Sequence, residues 1–151
     1  MSTKPGHQDE NSGFSLIELL ITIVVIAILA VIAYPNYSEF ILKSRRLDAQ
    51  SELMDLAHRQ ERHYAANATY TVDMTALGYD NSALVTTAEG YYQLNVEAAT
   101  GACPLSRCFL LKAVPLGHQA NDRFSVIRLH SSGSKEMRDK NSGNFQTGWE
   151  D

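Results

Sequence analysis

The chain has 151 residues, an apolar content of 44% and a formal net charge of −4. That length is enough for one domain of modest size, and the acidic balance argues against nucleic-acid binding driven by overall charge. The charge is uneven, because residues 101–151 carry seven Lys and Arg against five Asp and Glu. This excess indicates a weakly basic surface and does not by itself define a site.

The first predicted element is an apolar helix that begins near Phe14. From Phe14 to Tyr34 the chain has one charged side chain, Glu18, and a helix of that length spans a hydrocarbon core of about 30 Å. A secretory signal peptide is the alternative, but its apolar core is usually only about 7–15 residues long. A carboxylate in hydrocarbon is costly and usually marks function, so Glu18 requires a partner.

The helical pattern continues beyond Pro35. No glycine occurs between Gly13 and Gly78, and we predict one helix over about residues 14–66, apolar all round in its first half and amphipathic in its second. Proline removes a backbone donor, so a kink or a short melted stretch is expected at Pro35. A helix that ends near Tyr34 is the alternative. The apolar face of the second half is formed by Ala49, Leu53, Leu56, Ala57 and Tyr64.

The remaining chain predicts a loop and then a sheet. Residues 67–90 are rich in Thr, Asn, Gly and Asp, which is typical of a structured loop. Three strands follow, YYQLNVEA, CFLLKAVPL and FSVIRLHS, and their short connections require antiparallel pairing. We predict an α+β domain in which a sheet of three to four strands packs on the helix. The polar tail has Phe145 and Trp149 as possible anchors.

The two cysteines, Cys103 and Cys108, form a C-x4-C pair. The pair can be a disulfide, half of a metal site or two free thiols. Zinc needs four ligands, and no second close pair follows. Two cysteines beside a membrane anchor indicate export to an oxidising compartment, which favours the disulfide, although the residues alone leave all three alternatives open.

No group of residues has the spacing of a catalytic site. His58 and His63 are five positions apart, which is not the H-E-x-x-H spacing that places two ligands on one helical face. No nucleophile elbow or phosphate-binding glycine loop is present, and Ser131, Ser132 and Ser134 read as a turn. We therefore predict no catalytic residue, no metal, no cofactor and no enzymatic activity.

DNA contact is an alternative function that the distal half supports. Cations interleaved with aromatic residues suit phosphate contact and base stacking, although acidic neighbours reduce the net charge. The candidate cations are Lys112, Arg123, Arg128, Lys135, Arg138 and Lys140, with Tyr91, Phe124 and Trp149 as the aromatic residues.

The stretch GFSLIELLITIVVIAILAVIAYPNY resembles the N-terminal signature of type IV pilins and pseudopilins. The resemblance implies that prepilin peptidase cleaves between Gly13 and Phe14 and that Phe14 is then N-methylated. It implies assembly roles for Glu18, which would pair with the amine of Phe14 on a neighbouring subunit, and for the helix-kinking Pro35. The stretches from RRLDAQ and from CFLLKA onward look like PilE-like minor pilins. Relatives often carry a long-range disulfide, whereas this pair would rigidify only one strand connection.

The resemblance implies a domain organisation: a cleaved leader over 1–13, a transmembrane and filament-core helix over 14–38, and a periplasmic or extracellular head over 39–151. The implied function is that of a minor structural subunit in pilus biogenesis, twitching motility, adhesion or DNA uptake. The partners would be other pilin subunits, prepilin peptidase, the pilus assembly machinery and the inner membrane. A type II secretion pseudopilin, or a DNA-binding or adhesive minor pilin, is the alternative.

Orientation is the one point on which charge and resemblance disagree. Lys43, Arg45 and Arg46 follow the apolar segment, so the positive-inside rule would place the distal domain in the cytoplasm. The resemblance implies the reverse, with the leader in the cytoplasm and the head outside. We therefore hypothesise that these three cations serve subunit contacts.

Overall fold

The computed structural model describes residues 14–80, 85–97 and 100–149. One long helix precedes a six-stranded sheet in which the order of the strands in space is their order in sequence, and all neighbours are antiparallel. The predicted α+β class is therefore confirmed. The elements are α1 (Leu16–Asn67), β1 (Val85–Thr86), β2 (Tyr92–Val96), β3 (Leu110–Pro115), β4 (Phe124–His130), β5 (Lys135–Asp139) and β6 (Phe145–Thr147).

The structure divides into two compact units between Ser38 and Glu39. In the first unit, every residue from Phe14 to Tyr34 is exposed, and the apolar side chains occur all round the helix. The helix is long and apolar enough to cross a membrane, by length and composition. A helix that is apolar on every side is stable only when lipid or other apolar helices surround it.

The second unit, residues 39–151, is called the head below. One face of α1 packs on the sheet, with Ala49, Leu53 and Leu56 fully buried, as the helical spacing predicts. Ala57 and Tyr64 lie partly buried against the same core. Burial of apolar surface is the main term that stabilises such a core. The sheet contributes Tyr92, Leu94, Leu111, Ala113, Phe124, Ile127 and Met137.

The three predicted strands correspond to β2, β3 and β4, but the predicted count of three to four strands is wrong. The sequence KEMRD of β5 has one buried apolar residue, Met137, every residue of β6 is exposed, and β1 has only two residues. The prediction depended on alternating apolar residues. These three strands lack that alternation and are defined by backbone pairing with their neighbours.

The loop between α1 and β2 is packed against the helix. A short 3-10 helix, Thr75–Leu77, lies within it, and Met74 and Leu77 are buried. The fully buried Gln60 side chain pairs with the backbone of Thr71, donating to its carbonyl at 2.6 Å and accepting from its amide at 3.1 Å. An amide pair of this kind substitutes for the second strand of a ladder and fixes the loop at this point.

The helix runs without a break through residue 35 and ends at Asn67. The alternative of a helix that ends near Tyr34 is therefore wrong, and no melted stretch forms at Pro35. A proline removes one backbone donor, but the turns on either side remain helical. The kink itself stays a prediction.

Candidate assembly and DNA-contact surfaces

The N-terminal candidates Phe14 and Glu18 lie at the beginning of α1, and both are exposed. The Thr22 hydroxyl donates to the backbone carbonyl of Glu18 at 2.7 Å, so it serves the helix backbone and leaves the Glu18 carboxylate unused. Within the described residues no cation lies within ion-pair distance of that carboxylate. Gly13, the other half of the predicted cleavage site, lies outside the described residues.

A buried polar network fastens α1 to the sheet. Arg46 and Asp122 are 5% and 2% exposed, and the guanidinium donates from Nε and Nη2 to the two carboxylate oxygens at 3.0 and 3.1 Å. The Gln119 amide nitrogen lies 3.0 Å from the Leu42 carbonyl, 3.0 Å from the Tyr92 hydroxyl and 3.1 Å from Asp122 Oδ2. Burial raises the pKa of Tyr92, which keeps its hydroxyl neutral.

This network changes the role of the three cations that follow the apolar segment. Subunit contact was predicted for Lys43, Arg45 and Arg46, but Arg46 is bound inside its own head and cannot reach a neighbour. The Arg45 guanidinium lies 3.7 Å from the centre of the Tyr91 ring, where it is half-buried. Lys43 is the one of the three that is exposed.

Two candidate DNA-contact residues, Lys112 and Arg128, lie on the outer face of the sheet in ion pairs. Lys112 Nζ is 3.4 Å and Arg128 Nη2 is 3.1 Å from Glu97 Oε1. Arg128 Nη1 is also 4.0 Å from Glu136 Oε2. The pairs follow from register, since Lys112 faces Arg128 across β3 and β4 and Arg128 faces Glu136 across β4 and β5. Phosphate would have to compete with these glutamates, so neither cation is well placed for DNA.

The aromatic candidates are occupied within the head. Phe124 is 2% exposed and cannot stack on a base, so the prediction for this residue is wrong. Tyr91 lies beneath Arg45, and Trp149 donates from its indole nitrogen to the Arg128 carbonyl at 3.1 Å. Lys135 Nζ is 4.7 Å from the Trp149 ring centre.

The remaining candidate cations, Arg123, Arg138 and Lys140, surround the turn between β5 and β6 and are called the basic turn below. All three are exposed. Arg138 Nε donates to the Gly143 carbonyl at 3.0 Å, and Lys140 Nζ donates to the Ala120 carbonyl at 2.9 Å. These bonds to neutral carbonyls orient the side chains without neutralising them.

Asp139 is the carboxylate at the centre of the basic turn. It accepts from the amides of Ser142 and Asn141 at 3.0 and 2.8 Å and from Arg123 Nε at 2.9 Å. The Ser142 amide and the Arg123 side chain are the largest influences that lower its pKa, because each stabilises the ionised form. One carboxylate against three cations leaves the turn positive.

The disulfide alternative for the cysteines is the one that the structure contains. Cys103 and Cys108 are bonded, with Cα atoms 5.3 Å apart, in the connection between β2 and β3. Between them, the Leu105 carbonyl accepts from the Tyr70 amide at 2.8 Å and from the Thr69 hydroxyl at 3.3 Å. The bridged loop therefore holds the chain at the point where it leaves α1, in addition to rigidifying its own strand connection.

Replacing both cysteines (Cys103→Ser with Cys108→Ser) is expected to lower the free energy of unfolding of the head by about 2 kcal/mol, the loop-closure value for a ring of this size. Urea denaturation of residues 39–151 measures the change. A reductant should produce the same shift in the unsubstituted head and none in the variant. Equal stability of the two oxidised proteins would contradict the prediction.

The predicted serine and histidine sites show no catalytic arrangement. His63 Nδ1 lies 2.9 Å from the Thr69 carbonyl, whereas His58 is exposed on α1. Ser131–134 form the turn between β4 and β5, where the His130 amide donates to the Ser134 carbonyl. Within residues 14–80, 85–97 and 100–149, no group of three His, Cys, Asp or Glu residues is placed to hold a metal ion.

Two protein families match the chain over adjacent segments. The model of the family described as "Type IV minor pilin ComP, DNA uptake sequence receptor" matches residues 35–124. That described as "Prokaryotic N-terminal methylation motif" matches residues 10–34. The first match covers more than half of the chain and includes most of the head.

Individual relatives are similar over shorter lengths. The type IV major pilin protein PilA of Myxococcus xanthus is 32% identical over 93 residues, which is 62% of this chain and 40% of that protein. The fimbrial protein EcpC of Eikenella corrodens is 35% identical over 88 residues, 50% of this chain and 55% of that protein. The chain thus spans about half the length of these curated relatives. A type IV pilin structure from Shewanella oneidensis is 29% identical with a TM-score of 0.46, covering 62% of this chain and 89% of that one.

Proposed function

Because this chain belongs to the type IV pilin family, we propose that it is a minor structural subunit of a type IV pilus. The family consists of structural proteins, so the prediction that the chain is not an enzyme is confirmed. Assembly with other pilin subunits follows from the same membership. The observation that carries the proposal is the apolar, fully exposed helix from Phe14 to Tyr34, joined to a head with its own core.

Processing is the first step of the proposed life cycle. Prepilin peptidase would cleave between Gly13 and Phe14, and Phe14 would be N-methylated; the methylation motif matched over residues 10–34 supports this step. The leader would then be cytoplasmic and the head periplasmic, with the helix in the inner membrane until the assembly machinery adds the subunit to the pilus. The new amine of Phe14 supplies the cation that Glu18 requires.

Sheared pili provide the test. We expect a tagged copy to appear in the sheared fraction at a small fraction of the major subunit, with mass spectrometry showing an N-terminal methylated Phe14. A chain that remains in the inner membrane of a piliated cell, or that makes up most of the filament, would contradict the proposed minor role. A deletion strain scored separately for pili, twitching and transformation would then assign motility, adhesion or DNA uptake.

A pilus role is better supported than that of a type II secretion pseudopilin, the first alternative. The two classes share the N-terminal signature, so only the head separates them. The family matched over residues 35–124 is described as a minor pilin, and both relatives are named as pilin or fimbrial proteins.

A DNA receptor is the second candidate function. Two observations favour it: the description of the matched family as a DNA uptake sequence receptor, and the exposed basic turn of Arg123, Arg138 and Lys140. Phosphate contacts by Lys and Arg release counterions, which makes binding salt-dependent.

Removing the basic turn (Arg123→Ala, Arg138→Ala and Lys140→Ala together) should weaken duplex DNA binding and flatten the slope of log affinity against log salt by up to about 2–3, or about 0.9 for each phosphate contact. Mobility shifts over a salt series measure both. The matched control is Lys112→Ala with Arg128→Ala, whose ion-paired cations should change the slope little. A larger effect from the control than from the turn would move the contact to the outer face of the sheet.

A further inference from the structure

An open cleft of about 710 Å³ lies in the head between α1 and the turn that joins β1 to β2. Ile41 and Ser44 line its helical side near the start of the head, and Tyr91 lines it from the strand side. Neither the proposed processing nor the proposed DNA contact uses this cleft. Its walls are mainly polar, so its occupant would be a charged or polar group.

The cleft is acidic. Four carboxylates line it against one cation, Arg45, whose guanidinium lies over the Tyr91 ring. One carboxylate, that of Asp55, already accepts from Arg59 Nε at 2.7 Å. For the other three, no cation among the described residues lies within ion-pair distance. The four are Asp48, Glu52, Asp55 and Glu89.

The basic turn lies at the same end of the sheet but on the opposite edge. Tyr92 at the start of β2 pairs with Pro115 at the end of β3, and Phe124 at the start of β4 pairs with Asp139 at the end of β5. The β1–β2 turn and the β5–β6 turn therefore share one end. They belong to the two edge pairs of the six-stranded sheet, whose outermost strands lie about 24 Å apart at the usual strand spacing.

We infer that the acidic cleft of one copy receives the basic turn of a second copy in the pilus. The two surfaces have opposite charge, and their positions on opposite edges of one end let heads stand side by side in the same orientation. Such an interface is heterologous, since each copy offers a different surface to each neighbour. Repeated contacts of this kind form an open array instead of a closed dimer. The inference rests on the proposed role as a pilus subunit.

Cross-linking tests the contact directly. Glu89→Cys and Lys140→Cys in one chain place thiols on the two surfaces, and a short bismaleimide reagent leaves the Cys103–Cys108 disulfide intact. We expect a ladder of covalent dimers, trimers and higher oligomers in sheared pili, and none from either single cysteine variant. Dimers without higher species would indicate a closed contact and overturn the inference, as would monomers alone. Absence of the chain from sheared pili would instead overturn the proposed function.

Charge reversal provides an independent test. Reversing the cleft (Glu52→Lys with Glu89→Lys) or the turn (Arg138→Glu with Lys140→Glu) should lower incorporation into pili by roughly tenfold, because like charges then face each other. Reversing both in one chain should restore incorporation, since every copy again carries complementary surfaces. Arg107→Glu, an exposed control in the disulfide loop, should incorporate normally.

Two results of the reversal experiment would overturn the inference. The first is loss with both single reversals and no recovery when they are combined. The second is loss with the turn reversal alone, which would assign the basic turn to another anionic partner such as DNA phosphate.

Discussion

Asp122→Ala is expected to lower the free energy of unfolding of the head by about 3–5 kcal/mol, the usual cost of breaking a buried ion pair from one side. The substitution removes the carboxylate that receives two N–H groups of the buried Arg46 guanidinium. It also removes an acceptor near the amide nitrogen of Gln119. Equilibrium urea denaturation of residues 39–151 measures the loss.

The control for this substitution is Asp80→Ala, which truncates an exposed carboxylate and should change the free energy of unfolding by no more than about 0.5 kcal/mol. Replacing both partners (Arg46→Met with Asp122→Leu) should be less destabilising than either single change, because the desolvated charge is then gone. A loss below about 1 kcal/mol for Asp122→Ala would contradict a structural role for the pair.

Glu18→Val is expected to leave membrane insertion and leader cleavage intact but to lower incorporation into sheared pili by at least about tenfold. The proposed partner of Glu18 is the amine of Phe14 on a neighbouring subunit, and a charge pair in an apolar surrounding is strongly favourable while its unpaired members are penalised. After substitution, the incoming helix has nothing to neutralise that amine.

Thr22→Val is the matched control for Glu18→Val. It removes a polar group one helical turn away whose hydroxyl bonds only the Glu18 backbone carbonyl, so incorporation should remain near normal. Immunoblots of sheared and membrane fractions separate incorporation from insertion. Normal incorporation of Glu18→Val would end the pairing idea, and failure of cleavage would assign Glu18 to recognition by the peptidase.

The parts of this fold that sequence reasoning predicted are those with local, periodic apolar patterns. Ala49, Leu53 and Leu56 recur at helical spacing and are fully buried, and β2, β3 and β4 alternate strongly enough to be placed within a few residues. β5 is charged and β6 has no buried residue. Their pairing depends on a backbone edge that β4 provides, and no residue within either strand announces it.

The site residues that were missed depend on long-range pairing. Arg46 and Asp122 are 76 positions apart, so nothing near either residue indicates that it is buried. The six candidate DNA cations were treated as one group, but register pairs Lys112 and Arg128 with glutamates and leaves Arg123, Arg138 and Lys140 together at one turn. Strand register determines which cations are neutralised, and a single sequence does not specify register.

The order of strands in the sheet has a consequence for the timing of maturation. Each strand pairs with the one before it, and chains fold from the N-terminus as they are synthesised, so the ladder can grow hairpin by hairpin without any strand waiting for a later one. The clamp on α1 is different, because Arg46 must wait until Asp122 has been made. A truncated chain could therefore complete β2 and β3 and still have no grip on its own helix. Fastening of α1 thus acts as a late checkpoint that only a nearly full-length subunit can pass.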